Sequence, residues 1–183
     1  MLGKRGVGEA NTLLALLTRE MGVIRAAARS TRVEESKLRF GLEPLTRGTF
    51  SFVRGKYEWK LTGVENISRG FISQSTVRRR AAGRIAKLLL RLIHGEEGVG
   101  GIYDTTVEGL ISLAGVASEQ EAENVECILV LRILSELGYV PSSQKLTPLV
   151  ENKLFSTEIL AEATSMRPFL IRTINESLSA TGL

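Results

Sequence analysis

The chain has 183 residues, enough for one or two domains, and its 43% hydrophobic and 24% charged content is that of a globular protein. The longest apolar stretch, Ile85 to Ile93, is cut by Lys87 and Arg91, which excludes a spanning helix of ~20 residues. One cysteine (Cys127), one histidine (His94) and one aspartate (Asp104) exclude an internal disulfide, a His/Cys metal site and a Ser-His-Asp triad, so no cofactor or metal is expected and enzymes are disfavoured.

The apolar stretch near the N-terminus is preceded by Glu9 and Asn11 and closed by Arg19-Glu20, so it does not read as a secretory signal. With the sparse cysteine this fits a reducing, cytoplasmic location. The net charge of +4 hides a division. Residues 1–80 hold 16 Lys and Arg against 7 Glu, a net of +9, and residues 81–183 hold 8 against 13 acidic residues, a net of −5. A basic half suits a polyanion such as a nucleic-acid backbone; the plain alternative is a surface charge that drifts along the chain.

The first half reads as short strands. Gly3, Gly6 and Gly8 are not followed by the Gly-Lys-Ser/Thr of a phosphate loop. Thr12 to Thr18 is an apolar run of strand length, Gly22 can take the positive φ of a turn, and Val23 to Ala28 reads as the returning strand of a hairpin. Residues 28–40 are polar, mixed in charge and aperiodic, which predicts an exposed loop. Lys37 to Leu42 is a further strand candidate before Pro44. Thr49 to Val53 and Tyr57 to Leu61 both alternate, with Arg54-Gly55-Lys56 as the turn between them and Tyr57, Trp59 and Leu61 on one face. Some five strands in the first ~70 residues predict a small closed or half-closed barrel, because closure removes exposed strand edges.

The second half reads as helices. Ser73 to His94 carries Val77, Ala81, Ile85, Leu88, Leu89 and Leu92 at spacings of three and four, and Ile102 to Leu113 predicts a second helix. Ser118 and Glu121 compose a capping box opening a third helix to Leu137, with Cys127, Ile128, Leu131 and Leu134 facing inward and Gly138 as its terminator. Leu149 to Phe155, Thr157 to Thr164 and Pro168 to Leu178 are shorter helical candidates. The fold class predicted is α+β, with a barrel over residues 1–70 and an all-helical domain over residues 71–183.

An ordered set of segments resembles the N-terminal domain of the RecO family of bacterial recombination and repair mediators. It comprises Gly8-Glu9, the apolar Leu13 to Thr18, Gly22 to Ala28, the basic Arg29 and Arg32, Ser36-Lys37-Leu38, and Leu42-Glu43-Pro44. The later RGKYEWKLTGVE is similar to that family's last barrel strand, and Leu137-Gly138-Tyr139-Val140-Pro141 with the closing IRTINESLSATGL is similar to its helical tail. The resemblance implies an OB-fold followed by helices, and a binding protein rather than an enzyme. It implies binding of single- and double-stranded DNA, strand annealing and help in loading RecA. The partners implied are RecR and the C-terminal tail of the single-strand-binding protein, with RecA indirect, no membrane, and a cytoplasmic, nucleoid-associated location.

Two departures stand out. The family's four-cysteine zinc site is absent from the segment SSQKLT, and the length implies trimmed helices and a clipped first barrel strand at Met1-Leu2.

Arg25, Arg29, Arg32, Lys37 and Arg39 lie on or around one predicted loop and could track phosphates, although Glu34 and Glu35 interrupt them. Arg47, Arg54, Lys56 and Lys60 extend the basic set, and Tyr57 and Trp59 are candidates to stack on bases. The strict alternation of Phe50, Phe52, Tyr57 and Trp59 is also that of barrel core. Arg78-Arg79-Arg80 fans over less than a helical turn and reads first as a solvated helix start. His94 reads as a cation at a helix end, and Cys127 as core. The tail of the single-strand-binding protein would need a cation such as Arg84, Lys87, Arg91 or Arg132. The competing readings are an OB-fold RNA-binding or translation-associated protein, a structural adaptor and an unrecognised hydrolase.

Overall fold

The computed structural model describes residues 1–7, 11–29, 42–71 and 74–182. The chain is α+β: among the described residues five strands, β1 (Gly3–Val7), β2 (Asn11–Thr18), β3 (Gly22–Ala28), β4 (Arg47–Arg54) and β5 (Trp59–Ser68), precede six helices. The helices are α1 (Thr76–Leu92), α2 (Gly100–Gly115), α3 (Glu119–Glu136), α4 (Thr147–Glu151), α5 (Thr157–Ser165) and α6 (Arg167–Ala180). Two compact units result. One is Met1–Gln74 with Ala86–Val99, the other Ser75–Ile85 with Gly100–Leu183.

In the first unit the strands form one sheet in the order β1-β2-β3-β5-β4. Only β3 and β5 are parallel; the other neighbours are antiparallel. This is the order of an OB-like barrel. The predicted hairpin is β2–β3, in register from Thr12↔Ala28 to Thr18↔Gly22. Its turn needs Gly22 twice over: φ is +60°, and a Cβ there would lie 2.5 Å from the carbonyl oxygen of Glu97. Ahead of the two outer strands, Leu45 N donates to Met1 O at 2.9 Å and the Met1 amine donates to Thr46 O at 2.6 Å, so β1 and β4 are drawn together at that end. Strand alternation buries Leu14, Leu16, Ile24, Ala26, Ala28 and Leu61, with Leu42 beside them and Phe50, Phe52, Trp59 and Val64 packed against that core.

Three strand expectations meet different outcomes. The first strand, expected to be clipped at Met1-Leu2, spans Gly3–Val7 and pairs with β2 from Gly3↔Ala15 to Val7↔Asn11. The candidate at Lys37 to Leu42 lies outside the described residues except for Leu42, which is buried and belongs to no strand. β5 begins at Trp59 and runs on to Ser68, so Tyr57 falls in the turn closed by Gly55 N donating to Glu58 O at 2.8 Å. Tyr57 is 86% exposed there and does not share the core face of Trp59 and Leu61.

The second unit is built around α3, whose Ala122, Val125, Ile128, Leu129, Leu131, Ile133 and Leu134 are all buried. The capping box is formed: Ser118 Oγ accepts from Glu121 N at 3.1 Å, and Glu121 Oε2 accepts from Ala117 N at 2.8 Å and Ser118 N at 3.4 Å. Gly138 ends the helix with φ +78°. Cys127 is half-buried rather than core, and its burial raises the thiol pKa.

The helix expected over Leu149 to Phe155 is instead α4, five residues ending at Glu151. The buried Arg132 takes its continuation away. Its guanidinium donates to the carbonyls of Leu149 (2.7 Å), Lys153 (3.0 Å) and Leu154 (3.2 Å), and Asn152 Oδ1 accepts from Leu154 N at 3.0 Å.

Candidate nucleic-acid interface

The alternation that buries Ile24 and Ala26 turns Arg25 outward. Register then gathers a basic face. Ala27 pairs with Leu13 on one side and Lys60 on the other, and Leu13 pairs with Arg5. Directly paired residues share a face of the sheet, so Arg5, Arg25 and Lys60 stand on the same outer surface, over Leu13, Ala15 and Ala27. Arg29 follows β3 directly and is exposed. Arg5, Arg25, Arg29 and Lys60 form no ion pair with another described residue.

Other candidates are placed elsewhere. Arg32, Lys37 and Arg39 lie outside the described residues. Arg47 is exposed at the start of β4, in register with Ser68 at the other end of the strand from Arg54. Lys56 sits in the β4–β5 turn with its ammonium 5.0 Å from the Tyr57 ring centroid. Phe50 and Phe52 stack on each other with centroids 6.4 Å apart and pack against the core, so their alternation is that of barrel interior.

Arg54 and Trp59 form a unit of their own. They are register partners at the closing end of the β4–β5 hairpin, and the guanidinium lies 4.7 Å from the indole centroid. Both donate to one carboxylate. Arg54 Nη1 reaches Glu96 Oε1 at 2.9 Å and Oε2 at 2.8 Å, and Trp59 Nε1 reaches Oε1 at 2.8 Å. The indole hydrogen bond first, and Arg54 second, hold the Glu96 carboxyl below the ordinary glutamate value.

Two residues that the sequence did not single out matter here. Arg5 had only the signal of adjacent cations between two glycines, and Glu96 lies just beyond the helix that the sequence predicts to end at His94.

In the helical unit most of the named cations are already committed. Arg78 is not a solvated helix start: it donates to the carbonyls of Ala114 (3.0 Å) and Val116, at the end of α2, while Arg79 and Arg80 are exposed. Arg84 is paired with Glu126 through two bonds of 2.6 Å, which raises its pKa. Arg132 lies against the Phe155 ring at 4.3 Å, and burial lowers its pKa to about 10. Lys87 and Arg91, on the part of α1 that belongs to the first unit, are exposed. Among the described residues no group of three or more His, Cys, Asp or Glu side chains could hold a metal ion, and no helix is long and apolar enough to cross a membrane.

Residues 1–68 match the family model described as Recombination protein O N terminal. A DNA repair protein RecO of Heliobacterium modesticaldum is 34% identical over 142 residues, covering 77% of this chain and 50% of the relative. Proteins of the same name from a Synechococcus and from Pelotomaculum thermopropionicum are 27% and 29% identical, over 75% and 77% of this chain and 52% and 54% of theirs. The chain thus spans about half the length of the curated relatives it matches.

Proposed function

Because the chain belongs to the RecO family through its N-terminal domain, we propose that it is a DNA-binding mediator of recombinational repair, acting by binding rather than by catalysis. The observation that supports this most is the outer face of the sheet, where Arg5, Arg25 and Lys60 converge with no carboxylate among the described residues to neutralise them. Such a face binds a phosphate backbone by releasing its counterions. Annealing brings two polyanions together, and a protein that neutralises both lowers their repulsion. Single- and double-stranded DNA are the ligands. RecR and the single-strand-binding protein's C-terminal tail are the protein partners, RecA loading is the downstream consequence, and the site of action is the cytoplasmic nucleoid. Arg29, Arg32, Lys37, Arg39, Arg47, Arg54, Lys56, Tyr57 and Trp59 complete the DNA-binding set.

Fluorescence anisotropy with single-stranded DNA, duplex DNA and RNA side by side tests the reading. Affinity for single-stranded DNA is expected to fall steeply with salt. The triple variant Arg25→Ala/Arg29→Ala/Lys60→Ala is expected to shallow the slope of log K against log salt by about 2, the loss of three phosphate contacts. Tighter binding to RNA than to DNA would favour an RNA-binding role, and an unchanged slope would remove the face from the site.

A further inference from the structure

The Arg54–Trp59 pair is built as a receptor for a bidentate oxyanion and is filled by one. One guanidinium nitrogen, Arg54 Nη1, and an indole N–H converge on the two oxygens of Glu96, with all three donor–acceptor distances between 2.8 and 2.9 Å. A phosphodiester offers the same two anionic oxygens in a similar fork. The pair sits at the end of β4 and β5, next in register to Lys60 (Val53↔Lys60, Arg54↔Trp59) but on the opposite side of the sheet, so it is a contact point separate from the basic face.

We infer that Arg54 and Trp59 form a binding site for one backbone phosphate of a nucleic acid, and that Glu96 occupies it as an internal stand-in that the strand must displace. The inference rests on the nucleic-acid reading of the basic face. Displacement is within reach because the pair is exposed: the Arg54 and Glu96 side chains retain 58% and 44% of their accessible surface, and an ion pair so placed holds weakly against a competing polyanion. Glu96 therefore sets the affinity of the strand without touching it. While it is in place it keeps one cation from the strand, and on leaving it frees that cation together with an aromatic ring. Trp59 is the chain's single tryptophan, so its emission reports on this site alone.

The test compares Glu96→Gln with Glu97→Gln, which removes an equal charge from the adjacent position, and with Arg54→Ala. Binding of a single-stranded oligonucleotide is followed both by anisotropy of a labelled strand and by Trp59 emission. Glu96→Gln is expected to bind about 3–10-fold more tightly than the unchanged protein and to steepen the salt slope by about one phosphate contact. Glu97→Gln is expected to change affinity less than 2-fold, a through-solvent charge effect. Arg54→Ala is expected to cancel the gain when combined with Glu96→Gln.

Equal gains from Glu96→Gln and Glu97→Gln would overturn the inference, because they would report net charge and not a filled site. Binding by the unchanged protein with no shift of Trp59 emission and no gain in Glu96→Gln would overturn it while leaving the basic face intact. If no variant binds any strand, both the inference and the functional reading fall.

Discussion

Glu96 shows what a single carboxylate does when its partners are chosen by tertiary structure. Trp59 and Arg54 favour its ionised form, so its folded pKa lies below the ordinary 4.5. A group depressed on folding contributes stability that is present above its unfolded pKa and is lost as pH falls through the folded one. The clamp is therefore intact at neutral pH and opens in acid. Trp59 emission is expected to titrate with a midpoint below pH 4.5, and the transition is expected to vanish in Glu96→Gln; a midpoint at or above 4.5 would contradict the geometry.

Nothing local announced this residue, since it lies 42 positions from Arg54 and 37 from Trp59. Arg132 is a second case. As a cation on a helix it read as available to a partner, yet its three bonds to backbone carbonyls hold the chain beyond α4. Cations whose surroundings come from distant sequence cannot be sorted into free and committed by spacing alone.

Among the elements, those governed by local chemistry were legible. The β2–β3 hairpin follows from two apolar runs around Gly22, and α3 from the Ser118–Glu121 box and Gly138, all decided within a few residues. β1 and the far end of β5 were not legible, because glycines and polar residues fill them and only their neighbours' backbone pairing makes them strands.

The packing of α2 on α3 also depends on one glycine with no sequence signal. A Cβ at Gly109 would fall 2.5 and 2.7 Å from the two terminal carbons of Leu129, which is fully buried and has nowhere to retreat. Alanine gains about 1 kcal/mol of helix propensity over glycine. The overpacking is expected to exceed that, so that Gly109→Ala loses about 1–3 kcal/mol in urea-induced unfolding. A stabilised variant would mean that the helices separate at little cost.

At the scale of the molecule the division of charge survives folding, but its meaning sharpens. The excess of +9 over residues 1–80 is not spread evenly: Lys4 is neutralised by Glu43 and Arg54 by Glu96, while Arg5, Arg25 and Lys60 are left together on one face. If net charge alone drew the strand, any three cations would serve equally. Removing Lys145, Lys153 and Arg172, all exposed in the helical unit, is thus expected to change affinity for single-stranded DNA less than 2-fold at ~0.15 M salt, where screening acts within ~8 Å. The same measurement on the Arg25/Arg29/Lys60 variant is expected to show a loss of at least about 10-fold. Comparable losses from both sets would mean a diffuse attraction with no organised track.

The sheet unit is also discontinuous along the chain. Gly22 meets the Glu97 carbonyl, Val99 N donates to Arg19 O at 3.2 Å, and Leu90 lies 3.9 Å from where a Cβ on Gly3 would be. All three contacts need residues made after the last strand and most of α1. During synthesis the chain must therefore emerge through Val99 before the sheet unit can complete these contacts, although every strand pairing lies within residues 3–68.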